Sequence, residues 1–447
     1  MKPSPTFLKY ARQNTPRYTS YPTAPHFHGG VDARVFAGWL ADMDPAASGS
    51  LYLHIPYCRE MCWYCGCSTR ATQKSGPIAA YTETLLTEVD RAADQFTTRP
   101  IIAHIHFGGG TPTILSEAQF AAVMHRIRTR FAASPTAEIA IEIDPRIFTA
   151  SKARHLAQCG VNRASIGVQT FDADVQARIN RIQPLQTVRD CVENLRAVGI
   201  DNISFDLLYG LPGQTLESCR DSVETALSLL PDRLSVFGYA HVPHMKRHQK
   251  LIRSEDLPGP ELRIEQALIM ADAAQRCGFL PVGIDHYARP DDDMGRILKE
   301  GRMRRNFQGY TTDQSDFLLG LGASAISRTP AGYAQNSPDV PSWSKAIKAG
   351  SLATARGIIL SPDDCARAEI IEQLMCELQV DLDAVTTARN VPVTMPHLDD
   401  LTRDGIVRRQ GNCISLTEGS RMLARVVAAR FDAYLPATSP ARHSVSV

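Results

Sequence analysis

"LYLHIPYCREMCWYCGCST" runs from Leu51 to Thr69. Its first six residues are mostly apolar and read as a β-strand; its second half packs Cys58, Cys62, Cys65 and Cys67 into ten residues. A strand that ends in a thiol-rich loop fixes where the chemistry of the chain would sit. Five similar runs follow: "IIAHIHF" from Ile101, "EIAIEID" from Glu138, "RASIGVQ" from Arg163, "ISFDLLYG" from Ile203 and "RLSVFGYA" from Arg233. Between them lie stretches such as "YTETLLTEVDRAADQF" and "TVRDCVENLRAVGI", whose apolar residues recur near every 3.6 positions. Strand–helix alternation repeated six times predicts parallel βα units with a helix in each crossover. The predicted fold is α/β, a partial (β/α)6 TIM-like barrel, with a doubly wound open sheet as the alternative.

Around that barrel, expected over residues 46–345, the texture changes. Residues 1–45 read as an N-terminal arm. Residues 346–435 read as a small, mainly helical domain with a β-wing. There "SPDDCARAEIIEQLMCELQV" predicts a helix capped by Ser361 with Pro362 in its first turn, and "RRQGNCISL" predicts a hairpin. The Ser/Pro-rich tail 436–447 is expected to be disordered.

The 447 residues carry a formal net charge of only +1 and 44% hydrophobic residues, which excludes a strongly basic nucleic-acid binder and fits a globular enzyme. No apolar run is long enough to span a membrane, and no signal-peptide core is visible, so a cytoplasmic location is expected. In that compartment the eleven cysteines are not expected to form disulfides. Seven stand singly and read as small buried hydrophobes.

The other four are spaced for metal chemistry. Cys58, Cys62 and Cys65 follow C-x3-C-x2-C, and no second pair stands downstream to complete a structural zinc site. Short thiolate spans of this kind hold iron–sulfur clusters, and three ligands to a four-iron cube leave one iron open. Cys67 is extra; it is a candidate catalytic proton or electron donor, or a packing residue. "HFGGGTPT" places Gly108, Gly109 and Gly110 at the end of the second strand, where glycine permits close approach of a ligand. Exposed N–H and C=O groups of that turn could meet the two ends of an amino acid. Glu142, Gln169 and Asp206 fall at the ends of later strands, as expected for a site at the C-terminal mouth of a barrel. Arg181 could hold a carboxylate or could be an ordinary solvated helix charge.

The cysteine spacing behind a first strand resembles that of radical S-adenosylmethionine (SAM) enzymes, and the triple glycine resembles their SAM-methionine loop. The likeness extends further. "PRYTSYPTA" (16–24), "YLHIPYCREMCWYCGC" (52–67), "SIGVQTFD" (165–172), "DLLYGLPGQT" (206–215), "GIDHYARPDD" (283–292) and "RNFQGYTT" (305–312) resemble the oxygen-independent coproporphyrinogen III oxidase family. The resemblance implies a radical SAM barrel with a [4Fe–4S] cluster on Cys58, Cys62 and Cys65 and two SAM molecules. It places Tyr52, Tyr64, Gly109, Gly110, Thr111, Glu142, Gln169, Arg181, Asp206, Ala240 and Ile326 at SAM-contact positions. Tyr64 stands where phenylalanine is common, "STR" where asparagine is common, and "GIDHYA" lacks a proline before its aspartate.

The implied reaction converts two propionates of coproporphyrinogen III to vinyl groups, giving protoporphyrinogen IX in haem biosynthesis. A substrate with four carboxylates calls for basic side chains. Arg302, Arg304 and Arg305 beside Gln308 are the first candidates, and Lys246 and Arg247 the second. A flavodoxin- or ferredoxin-type electron donor and a monomeric state are expected. The competing readings are a haem-trafficking relative, a radical SAM enzyme acting on haem itself, and a zinc-stapled structural protein.

Overall fold

The computed structural model describes residues 4–435. All six predicted strands form: β1 (Ser48–Ile55), β2 (Ile101–Gly109), β3 (Ala132–Ile143), β4 (Arg163–Gln169), β5 (Asn202–Tyr209) and β6 (Arg233–Gly238). They lie side by side in chain order, every neighbouring pair parallel. Beyond β6 come two short antiparallel strands, β7 (Leu280–Val282) and β8 (His286–Ala288). On the other flank of β1 sits a seventh parallel strand, β9 (Phe317–Leu321), followed by the antiparallel β10 (Ile326–Thr329), β11 (Gly332–Asn336) and β12 (Thr354–Ile359). The order of the twelve is β12-β11-β10-β9-β1-β2-β3-β4-β5-β6-β8-β7, so β12 and β7 are edges and the sheet does not close.

The strands work by period-two alternation. Leu51, Leu53, Ile55, Phe107, Ile141, Ile166, Phe205 and Leu234 are all at most 1% exposed and form the main core with the crossover helices. Burial contributes roughly 1.5–3 kcal/mol for each such side chain. The opposite parity is polar: Tyr52 and His54, His104 and His106, Glu142, Ser165, Asp206 and Ser235. These residues pair across neighbouring strands, as in Tyr52 with His106, Glu142 with Ser165 and Asp206 with Ser235. One face therefore holds the helices on and the other builds a polar interior.

The N-terminal end of that interior is filled by paired charges. Arg163 donates to Glu138 (2.7 Å), Arg233 donates to Asp292 (2.6 Å), and His104 lies between Glu138 (3.8 Å) and Asp313 (3.5 Å). Buried charges persist when partnered in this way. With that end filled, a cavity forms at the C-terminal end.

The helix predicted after Ser361 spans Pro362–Cys376; Ser361 and Asp364 form a reciprocal capping box. The predicted hairpin is Val407–Gln410 with Cys413–Leu416, joined by a third strand, Gln379–Asp381. β12 belongs to the large sheet, so that sheet runs past residue 345. The arm is tied to the C-terminal segment: the Tyr18 hydroxyl donates to Asp432 (3.0 Å) and the Ala433 amide to the Tyr21 hydroxyl (2.9 Å). The tail 436–447 lies outside the described residues.

Candidate active site

The loop after β1 and the turn after β2 meet over one cavity of about 650 Å³, lined by Cys58, Cys62, Cys65 and Cys67 together with Gly109, Gly110 and Thr111. Two backbone bonds lock them together: the Gly110 amide donates to the Ile55 carbonyl (2.8 Å) and the Thr111 amide to the Tyr57 carbonyl (2.8 Å). The Gly109 amide donates to Glu142 Oε2 (3.0 Å). The N–H groups of Gly109, Gly110 and Thr111 are thus used inside the protein, which corrects the N–H half of the expectation and leaves the turn's C=O groups for a ligand. The glycines serve close packing. Gly109 sits at φ +113°, and a Cβ there would lie 2.6 Å from the His54 ring; one at Gly110 would lie 2.7 Å from the Tyr57 carbonyl oxygen.

Every sulfur in the C-x3-C-x2-C set has a donor aimed at it. Cys58 Sγ receives Thr111 Oγ1 (3.3 Å) and contacts Thr69 Oγ1 (3.3 Å). Cys62 Sγ is approached by Arg181 Nη1 (3.5 Å) and Arg146 Nη2 (3.6 Å). Cys65 Sγ accepts from the Cys67 amide (3.4 Å). The bond from the Cys67 thiol, aided by Lys246 and Arg181, holds Cys65 down to about 7 and pushes Cys67 up. Arg181 is buried, donates to the Gly167 carbonyl (2.6 Å), lies 3.6 Å from Asp144, and keeps its Nε buried without a partner. It is not a solvated helix charge.

A ring of donors around soft sulfurs suits a negatively charged cluster. Among the described residues no three such side chains gather about a single-ion site. Thiolates on one zinc sit roughly 4 Å apart, given Zn–S bonds of about 2.3 Å. Three cysteines that line one cavity without forming such a group suit separate iron atoms of one cluster. The residues present therefore fit the group, and the zinc-stapled reading loses its basis.

The loop after β6 clamps the thiol loop from outside. Lys246 Nζ donates to the Cys67 carbonyl (2.8 Å), His248 Nε2 to the Cys65 carbonyl (2.7 Å), and Gln249 Nε2 to the Tyr64 carbonyl (2.9 Å). Lys246 is thereby a loop clamp, and Arg247 is exposed away from the cavity lining.

Tyr64, Glu142, Gln169, Asp206 and Ala240 also line the cavity. Asp206 accepts from Ser165 (3.1 Å), and burial beside Glu142 pushes its carboxyl upward. Tyr52 stands one layer behind. Its hydroxyl donates to His54 Nδ1 (3.0 Å), while His54 Nε2 donates to the Ser68 carbonyl (2.8 Å). Ile326 also lies behind the wall, packed with the hydrophobic group that includes Phe307.

The basic candidates divide. Arg305 and Gln308 line the cavity. Arg302 is spent on Glu300 and Arg304 on Glu372 (3.1 Å), both exposed at the surface. Three-residue alternation explains this: on the strand Arg304–Asn306, neighbouring side chains face opposite ways. Sequence reasoning missed Arg17, Arg146, Arg263, Arg425 and Asp285, all on the wall. Arg17 lies inside the motif "PRYTSYPTA"; Arg263 and Arg425 sit in helices and carry no sequence signal.

Residues 52–226 match the model of the radical SAM superfamily. Over 433 residues the chain is 49% identical to the oxygen-independent coproporphyrinogen III oxidase of Bradyrhizobium diazoefficiens, covering 96% of each chain. The chain belongs to the oxygen-independent coproporphyrinogen III oxidase family. A relative of the same description from Pseudomonas aeruginosa is 37% identical, with 96% of this chain and 95% of that one covered. The solved structure of coproporphyrinogen III oxidase (HemN) from Escherichia coli superposes with a TM-score of 0.89 at 35% identity, over 95% of this chain and all of that one. For this family member the cysteine loop, the glycine turn and the strand-end polar residues thus occupy one cavity.

Proposed function

We propose that the chain is a radical SAM oxidoreductase that decarboxylates two propionates of coproporphyrinogen III without oxygen, giving protoporphyrinogen IX. The observation that carries this reading is the single cavity that joins three donor-ringed thiols to a wall rich in arginine. Each propionate gives up a β-hydrogen atom, one electron to a one-electron acceptor, and CO2, leaving a vinyl group. When bound, a [4Fe–4S] cluster and SAM supply the 5′-deoxyadenosyl radical that takes the hydrogen atom.

The chain's own residues do the rest. Cys58, Cys62 and Cys65 hold the cluster. Arg181 and Arg146 face Cys62 and offset its negative charge, and Thr111 and Thr69 do the same for Cys58. With the N–H groups of the glycine turn committed, an ammonium group is met by carbonyl oxygens. Glu142, Gln169 and Asp206 suit ribose hydroxyls. Leu208, Phe237, Phe307 and Met422 give the cavity an apolar wall that excludes water around the reacting carbon. We assign two SAM molecules, a flavodoxin- or ferredoxin-type electron donor, a cytoplasmic location and a monomeric state to the same reading. Among the described residues no helix is long and apolar enough to cross a membrane.

The test is anaerobic turnover. Reconstituted protein, a one-electron reductant and SAM should convert coproporphyrinogen III to a divinyl product, with 5′-deoxyadenosine formed alongside. Tight haem binding with that substrate untouched would instead establish the trafficking reading.

A further inference from the structure

Four arginines from four distant parts of the chain meet on one side of the cavity. Arg17 comes from the arm, Arg263 from the helix Pro260–Arg276, Arg305 from the short strand Arg304–Asn306, and Arg425 from the C-terminal helix Ala424–Ala428. This side is built by the ends of β5 and β6. Arg17 Nη2 donates to the Gly238 carbonyl (3.5 Å), and Arg263 lies over the Tyr209 ring at 5.5 Å. Arg305 Nη2 donates to the Arg17 carbonyl (3.3 Å), and its guanidinium stacks on Tyr310 at 4.4 Å. Cys62, by contrast, is met by Arg146 and Arg181 on the β1–β4 side.

Such a gathering is costly by itself. Burial, with Arg17 and Arg305 nearby, pushes Arg425 down to about 10, and burial with Arg17 nearby lowers Arg263. Asp285 neighbours Arg305 and Arg425 and is bonded to His286 Nδ1 (2.7 Å). Arg305 Nη1 is buried with no hydrogen-bond partner. That buried Nη1 of Arg305 faces the same wall and suits an arriving anion. Between the arginines the wall is apolar, through Leu208, Phe237, Phe307 and Met422. Cations around an apolar wall match a tetrapyrrole whose carboxylates stand at its rim.

Resting on the decarboxylase reading above, we propose that Arg17, Arg263, Arg305 and Arg425 form a carboxylate-binding wall. It grips the propionates that are not reacting and so turns the reacting propionate toward the thiol side of the cavity. Because Arg17 and Arg425 come from the two terminal segments, the arm and the C-terminal domain complete the substrate site. Planar, bidentate recognition of carboxylates is what guanidinium groups do best.

The test uses full-length reconstituted protein and coproporphyrin III, the fluorescent oxidised form of the substrate, alongside its tetramethyl ester. Arg17→Gln and Arg263→Gln should each weaken binding of the free acid roughly ten- to a hundredfold, the worth of a hydrogen bond to a charged group. Their effect on the ester should be under twofold on the same reasoning. The exposed Arg17 keeps the test usable if a buried arginine cannot be replaced without unfolding, and iron content and the thermal midpoint check each variant. In turnover the loss should fall mainly on KM. Unchanged free-acid binding in both variants, or an ester that binds wild type as tightly as the acid, overturns the wall. Wild-type protein that binds coproporphyrin III through these arginines yet never converts coproporphyrinogen III refutes the decarboxylase reading and leaves the wall standing.

Discussion

Gly109→Ala is the sharpest single test of how the glycine turn works. The residue sits at φ +113°, a conformation that costs a side-chain-bearing residue about 1–3 kcal/mol. The new Cβ would lie 2.6 Å from His54 Cε1. His54 cannot yield freely, because Tyr52 and the Ser68 carbonyl hold its two ring nitrogens at 3.0 and 2.8 Å. Breaking those two bonds adds about 1–3 kcal/mol at the net worth of an ordinary hydrogen bond. The expected loss is about 2–6 kcal/mol in stability, or a turn that shifts and releases its amide from Glu142. The assay is paired: urea unfolding, and SAM binding by equilibrium dialysis on protein matched for iron. Either the unfolding free energy falls by that amount or SAM affinity drops at least tenfold. Gly76→Ala is the control, since Gly76 lies in the helix Ser75–Ala93 with nothing within 4 Å of its added Cβ. That change should be neutral or stabilising by up to about 1 kcal/mol. If Gly109→Ala matches the control in both measurements, the packing argument is wrong.

Cys62→Ser should abolish iron retention and SAM cleavage together; iron retained at about four per chain would refute the ligand assignment. Asp292→Ala removes the buried partner of Arg233 and the bond from the Met294 amide (2.8 Å) at the start of the helix Asp293–Lys299, so a loss of about 3–5 kcal/mol is expected in urea unfolding. Burial pushes Glu88 up to about 7, although Trp343 Nε1 and the Gly322 amide donate to it. A raised carboxyl stabilises the fold below its unfolded value near 4.5 and loses that contribution as pH climbs through about 7. Stability should therefore fall by about 3 kcal/mol between pH 4.5 and 8, and Glu88→Gln should flatten that slope. Parallel slopes in the two proteins would show that another group titrates.

Much of the barrel was legible because its rule is local. Leu51, Leu53 and Ile55 alternate with Tyr52 and His54, and alternation of that kind is written in neighbouring residues. β9 was not legible: "FLLGL" is five apolar positions with no period to read. Its place beside β1 depends on a pairing across more than 250 positions of chain. Within the site the same division holds. The three thiols and the glycine turn were visible as motifs because their function requires close spacing. Arg263 and Arg425 were invisible, since a helix charge that faces solvent and one that faces a cavity look alike in the sequence. Arg302, Arg304 and Arg305 formed one basic run, yet only Arg305 reaches the cavity.

The amino-acid order by itself determined the strands, the helix caps and the thiol loop, because these obey rules that span a few residues. Only the tertiary structure decided that the arm and the C-terminal segment bring Arg17 and Arg425 to a cavity whose other end holds the cysteines. It also decided that the amides of the glycine turn are used up on Ile55, Tyr57 and Glu142. The physical reason is one of range: hydrogen-bond partners and charge neighbours across hundreds of residues are chosen by how whole layers pack.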